Sequence, residues 1–203
     1  MRSLRNDSGC AVEIFIPVIK AFVLIFVAEF GDKSQLVCMT LASRYRAWPV
    51  LLGAILAFSF LNLLGVTVGV AVAQWLPEWV LLLLVCVLFG LFGLQALFSE
   101  DEESDVGPAK VGKHLIISVV ILLFLAELGD KTQLAIAGLA GIEPPLGVWI
   151  GGTLALVMTS ALGVWAGRAI LSKFPVRYVH RGSGVMFMVF ACVAAYELIR
   201  LQV

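Results

Sequence analysis

The sequence predicts an all-α polytopic membrane protein, with six transmembrane helices arranged as two inverted three-helix repeats. Three observations carry that expectation. Hydrophobic types make up 61% of the 203 residues and charged types 14%, against about 45–50% and about 25% in a soluble domain. The mean hydropathy of +1.03 means more apolar surface than a soluble globule of this size can hide. Apolar runs long enough to cross a bilayer follow one another along the chain, and the chain matches itself at an offset of 98 residues. The composition excludes a soluble enzyme, a nucleic-acid binder and a disordered scaffold.

Each span needs about 20 apolar residues. Residues 47–77 hold the second span, 79–99 the third, 144–167 the fifth and 182–196 most of the sixth, all without charge. The first run, 14–43, and the fourth, 115–141, carry charges in their middles. Apolar residues run continuously instead of alternating in short segments, which argues against an outer-membrane barrel. Trp48, Trp75, Trp79 and Trp149 fall near span ends, where an amphipathic indole prefers the membrane interface. Met1 to Gly9 lacks a signal-peptide layout and reads as a short tail before the first span. Cys10, Cys38, Cys86 and Cys192 are scattered, at no metal or redox spacing, and read as small packing residues.

This divides the chain into a first three-helix repeat (1–99), an acidic linker (100–113) and a second, inverted repeat (114–203). The linker carries Glu100, Asp101, Glu102, Glu103 and Asp105 and reads as a solvated connection. Arg44, Arg46, Lys110, Lys113, Lys173, Arg177 and Arg181 gather on one side. By the positive-inside rule that side is the cytoplasm. The linker is then cytoplasmic and both termini face out of the cytoplasm, in a cell or inner membrane. Arg168 at the end of the fifth span can snorkel.

At the 98-residue offset, Phe26–Leu36 aligns with Phe124–Leu134, with eight of eleven positions identical. The offset also pairs Gly53 with Gly151, Gly65 with Gly163 and Phe92 with Phe190. Three spans per half is an odd number, so the second half enters the membrane from the opposite side. Inverted repeats are frequent in secondary transporters, whose sites lie near the midplane at the repeat interface. Packing alone accounts for repeated glycines. It does not account for a repeated, charged Glu-x-Gly-Asp-Lys.

Glu29 lies about fifteen residues into its span and Glu127 about twelve into its own, so both fall near mid-membrane. On a continuous helix each motif puts two carboxylates on one face, Glu29 with Asp32 and Glu127 with Asp130, and Lys33 and Lys131 follow four residues after the glutamates, spaced for Lys–Glu pairs. Gly31 and Gly129 permit close backbone approach, or a local break that frees carbonyls as ligands. Six ionisable groups in lipid carry a gross penalty of roughly 15–20 kcal/mol before pairing. Fully ionised, four acids and two lysines sum to minus two, the charge that one divalent cation or two protons neutralise. Carboxylates with the amides of Gln35 and Gln133 and the hydroxyls of Ser34 and Thr132 form an oxygen-only ligand set, suited to Mn²⁺, Ca²⁺ or Mg²⁺. Asn62 and Ser160 occupy equivalent repeat positions. With Ser59, Thr67, Thr153 and Thr159 they line a path or form interhelical hydrogen bonds.

Two copies of Glu-x-Gly-Asp-Lys-[Ser/Thr], one per half around an acidic central loop, resemble a family of cation/proton exchangers. That family includes Golgi transmembrane protein 165 and the bacterial manganese exporter MneA. The resemblance covers nearly the whole chain. It implies export of Mn²⁺, or Ca²⁺ as in several eukaryotic members, from the cytoplasm against an inward cation, usually H⁺ and otherwise Na⁺. By motif position it makes Glu29, Asp32, Glu127 and Asp130 the ion ligands, joined by Gln35 and Gln133. Ser34 and Thr132 support or orient them. The short chain without a targeting extension suits a bacterial member. The expected partners are the divalent ion, H⁺ and the lipid bilayer, with a homodimer left open and no nucleic acid. No permanently bound cofactor is expected, and no enzymatic activity: neither a zinc-protease signature nor a nucleophile–base set is present. Two other readings stand beside this one. The lysines could hold the carboxylate of a small organic solute in a proton-coupled exporter, or the chain could be a non-transporting membrane enzyme or assembly factor.

Overall fold

In a computed structural model of the chain, residues 7–30, 32–98, 114–171 and 176–202 are described, without side chains at 7–13, 33, 36, 43, 166–180, 183 and 202. Gly31, the Lys33 side chain and the linker 100–113 therefore lie outside the described residues. The described residues form eight helices: α1 (Asp7–Glu29), α2 (Lys33–Arg44), α3 (Ala47–Trp75), α4 (Glu78–Phe98), α5 (Leu115–Glu127), α6 (Lys131–Ile142), α7 (Pro145–Leu171) and α8 (Val176–Gln202).

Among the described residues, four segments are long and apolar enough to cross a membrane: Ala47–Trp75, Glu78–Phe98, Pro145–Trp165 and Gly184–Leu201. These match the four uncharged runs of the sequence. The two charged runs differ from continuous spans. Each consists of two helices that meet at its acidic motif, α1 with α2 and α5 with α6. The apolar α5, at 13 residues, is about 20 Å long, less than the roughly 30 Å of a hydrocarbon core.

The long helices α3 and α7 pack on each other at the centre. Around them the packing is crosswise: α1 and α2 lie on α7, while α5 and α6 lie on α3. A final pair, α4 and α8, packs together. Glycines allow these approaches. A Cβ on Gly151 would collide with the Val18 carbonyl of α1, and one on Gly53 would sit 2.7 Å from Val119 of α5. Small residues at such crossings let helices pack without a hydrophobic drive between them. The core joins Leu24, Ile25, Phe58, Phe89, Leu123, Ile136, Leu156 and Phe187.

Trp48, Trp75 and Trp79 are exposed, as residues at an interface would be. Trp149 is not: it packs against the core and its indole N–H donates to the Ser59 carbonyl at 2.9 Å. The half-buried indole takes such a partner for its N–H, and position in the sequence did not reveal it. Lys20 of α1 forms an ion pair at 2.5 Å with Glu143, which follows α6.

Candidate functional site

α1 ends on Glu29 and α5 ends on Glu127. The same turn follows in both halves. The Asp32 N–H donates to the Glu29 carbonyl, and the Asp130 N–H donates to the Glu127 carbonyl, each at 3.2 Å. Helix then resumes from the aspartate carbonyls, which accept from Gln35 N–H at 3.1 Å and Leu134 N–H at 3.2 Å. Gly129 within the second turn has φ +81°. A residue with a Cβ pays about 1–2 kcal/mol to adopt that left-handed conformation, so glycine stabilises the break. Of the two uses that a glycine between acids allows, the second motif shows the break.

Each break sets a helix C-terminus beside a helix N-terminus. The C-terminal ends of α1 and α5 present the negative end of the helix dipole, which favours a cation. Asp130 occupies the N-cap position of α6, yet its carboxylate makes no capping bond. Instead it joins Glu29 and Glu127. One carboxylate oxygen from each of the three lies within 4.8 Å of the others. Glu29 is fully buried and Glu127 nearly so. Oxygen ligands at this spacing around a point are what a hard divalent cation requires.

The hydroxyls are shared between motifs. Thr132 of the second motif donates to Glu29 Oε1 of the first. Ser34 donates to Glu29 Oε2 at 3.3 Å within its own motif. The fourth acid stands apart: Asp32 accepts from Lys131 Nζ at 2.6 Å. This corrects the expected Lys–Glu pair of the second motif. Between Glu127 and Lys131 the helix stops, so the four-residue spacing no longer brings them together. It likewise corrects the placement of Glu127 and Asp130 on one continuous helical face. They meet across a turn.

The motif amides sit against glycines of the opposite half. A Cβ on Gly65 would come within 2.9 Å of Gln133 Nε2, and one on Gly163 within 2.8 Å of Gln35 Cγ. Gln133 Nε2 donates to the Leu61 carbonyl at 2.9 Å, and Asn62 Nδ2 donates to Thr153 Oγ1 at 3.1 Å. Both amides leave their oxygens, Gln133 Oε1 and Asn62 Oδ1, buried without a hydrogen-bond partner, and Ser160 is buried as well. Such an atom costs about 1–3 kcal/mol, and a site that binds cations gives it a use. Sequence reasoning missed the Leu61 carbonyl and the glycine cradles. The pairing of Gly65 with Gly163 at the repeat offset was the available signal.

Comparison with known proteins agrees with this geometry. The family model described as "Divalent cation/proton antiporter GDT1" matches residues 17–104 and 115–201. A Vibrio cholerae protein described as a "Putative manganese exporter" is 29% identical over 196 residues, covering 92% of this chain and 94% of its own. GDT1-like protein 4 of Arabidopsis thaliana is 26% identical over 211 residues, covering 84% of this chain and 91% of its own. Protein PAM71, chloroplastic, from the same plant is 29% identical over 230 residues, covering 98% of this chain and 61% of its own. No solved structure matches the chain.

Proposed function

The chain belongs to the divalent cation/proton antiporter GDT1 family, and we propose that it exports Mn²⁺, with Ca²⁺ as second choice, from the cytoplasm in exchange for H⁺ (or Na⁺). The observation that carries this reading is the carboxylate trio: Glu29, Glu127 and Asp130, drawn from both motifs, converge within 4.8 Å inside an apolar bundle. Three acids that close together need positive charge, either one divalent ion or protons. The same oxygens cannot hold both at once, and that competition is the exchange. Asp32, Gln35 and Gln133 complete the ligand set, with Ser34 and Thr132 orienting the glutamates and Asn62 and Ser160 lending further oxygens. The preference for Mn²⁺ draws support from the relative described as a manganese exporter, since oxygen ligands alone suit both ions.

In this reading the halves 1–99 and 114–203 are inverted repeats joined by a cytoplasmic linker, in a cell membrane with both termini outside the cytoplasm. The crosswise packing supports it: α1 on α7 is the repeat image of α5 on α3. Rocking one half against the other then exposes the site to either side. The test is cation flux in proteoliposomes under an imposed pH gradient, with and without Na⁺. Mn²⁺ or Ca²⁺ uptake coupled to proton movement is expected, and its loss in Glu29→Gln and Asp130→Asn. Absence of coupled flux in the wild type, or full flux in both variants, would overturn the reading. A small organic solute as cargo has no comparable support: the described lysine of the motif, Lys131, is held by Asp32.

A further inference from the structure

Two equivalent motifs supply four acids, yet only three converge. The exception, Asp32, is the one that a lysine holds. The Lys131 ammonium reaches Asp32 at 2.6 Å, with 30% and 17% of the two side chains exposed. The pair joins opposite motifs, and Lys131 is the immediate chain neighbour of Asp130, a member of the trio. The Lys131 ammonium is therefore a counter-charge that an incoming ion has to displace from the fourth carboxylate. An ammonium offers three donors and one charge on a flexible four-carbon stem. It can neutralise a carboxylate, but it can also be displaced from it.

We propose that Lys131 is a tethered competitor for Asp32, withholding that carboxylate from the divalent ion. This rests on the cation-transport reading above. When an ion loads, Asp32 leaves the lysine and joins the trio. When the ion departs, Lys131 takes its place. A site of four unrestrained carboxylates would hold a divalent ion too tightly to release it. The lysine supplies an alternative counter-charge that never leaves the protein, so it lowers affinity and lets the ion go. A lysine that merely staples two helices would not affect affinity in this way.

The measurement is Mn²⁺ affinity of the full chain in nanodiscs, by calorimetry with Mn²⁺ alone as ligand, beside exchange rates in proteoliposomes. Lys131→Gln is expected to tighten Mn²⁺ binding and to slow exchange, by about 5–150-fold, the range of intramolecular couplings. Lys131→Arg, whose planar fork grips a carboxylate bidentately, is expected to weaken binding. The gain in Lys131→Gln is expected to vanish in Asp32→Asn/Lys131→Gln, which should bind no tighter than Asp32→Asn. Equal or weaker binding in Lys131→Gln, or a gain that survives Asp32→Asn, overturns the proposal. If Lys131→Gln does not fold, Lys131→Arg decides: binding as tight as the wild type overturns it. A wild-type protein that binds neither Mn²⁺ nor Ca²⁺ overturns the transport reading itself, a result distinct from wild-type binding that Lys131 does not influence.

Discussion

Glu29→Gln keeps the shape of a fully buried side chain and removes one charge. The Thr132 hydroxyl, which donates to Glu29 Oε1, can still donate to the amide oxygen, while the amide NH₂ that replaces Oε2 can donate to the Ser34 hydroxyl oxygen. What changes is the repulsion. Two unit charges 4.8 Å apart interact by about 3.5 kcal/mol at an effective dielectric of about 20. Glu29 faces two such neighbours, so the gross repulsion in the empty, ionised trio is about 7 kcal/mol. Bound cations and protons absorb most of it. A net gain of about 1–3 kcal/mol is expected for the metal-free variant, or roughly 2–12 °C in Tm for a chain of this size. The wild type gains its stability differently: an ion at a hundred times its Kd adds about 2.7 kcal/mol. Thermal unfolding in nanodiscs with and without Mn²⁺ separates the two. The variant should start higher, lose most of the Mn²⁺-dependent rise and transport nothing in proteoliposomes. A variant that melts lower than the wild type without metal, yet keeps the full Mn²⁺-dependent rise, would refute the reasoning, because the trio would then be neither repulsive nor the ion's site.

Four further outcomes follow from the structure. Gly163→Ala puts a Cβ 2.8 Å from both the Gln35 side chain and its carbonyl, so it should cost about 1–3 kcal/mol and depress flux. Gly90→Ala, where nothing lies within 4 Å, should instead stabilise its helix by about 0.5–1 kcal/mol; comparing the two melting temperatures checks this. Gly129→Ala forces a Cβ onto φ +81° with open space around it, and should cost about 1–2 kcal/mol of backbone strain without any clash, seen as a lower Tm and a weakened Mn²⁺ affinity. Asn62→Leu removes a buried bare oxygen together with its bond to Thr153. It should lower Mn²⁺ affinity about tenfold while changing Tm little; an unchanged affinity would make Asn62 a purely interhelical contact.

The spans without charge were legible because lipid enforces them: a segment such as 79–99 has no other reason to lack every ionisable residue. The acids at Glu29, Asp32, Glu127 and Asp130 were legible for the opposite reason, as charges where lipid forbids them. The geometry between them was less so. Spacing along a chain predicts contacts only while the helix continues, and Gly129 sits where it stops. Lys131 is four residues from Glu127 but pairs with Asp32, 99 positions away. The break was stated as one of two options because a glycine between acids serves either. The backbone bonds from Asp32 and Asp130 to the preceding glutamates, with the left-handed φ of Gly129, distinguish them. Trp149 shows the same limit from another side. Its place near a span end suggested an interface, and its partner, the Ser59 carbonyl, lies on another helix.

The crosswise bonds tie the chemistry to the architecture. Glu29 is held by Ser34 from its own motif and by Thr132 from the other. Gln133 is fixed by the Leu61 carbonyl and Gly65 of the first half, and Gln35 rests on Gly163 of the second. Neither half therefore contains a site by itself, since each motif's orientation depends on groups that the other half carries. A small rotation of one half would move Thr132 away from Glu29 and Lys131 away from Asp32 together. It would change the hydrogen bonding of the glutamates and the charge balance of the trio in the same motion. In the proposed exchange, movement between the halves and release of the cation would then be a single event, which is the physical requirement for coupling one ion's passage to another's.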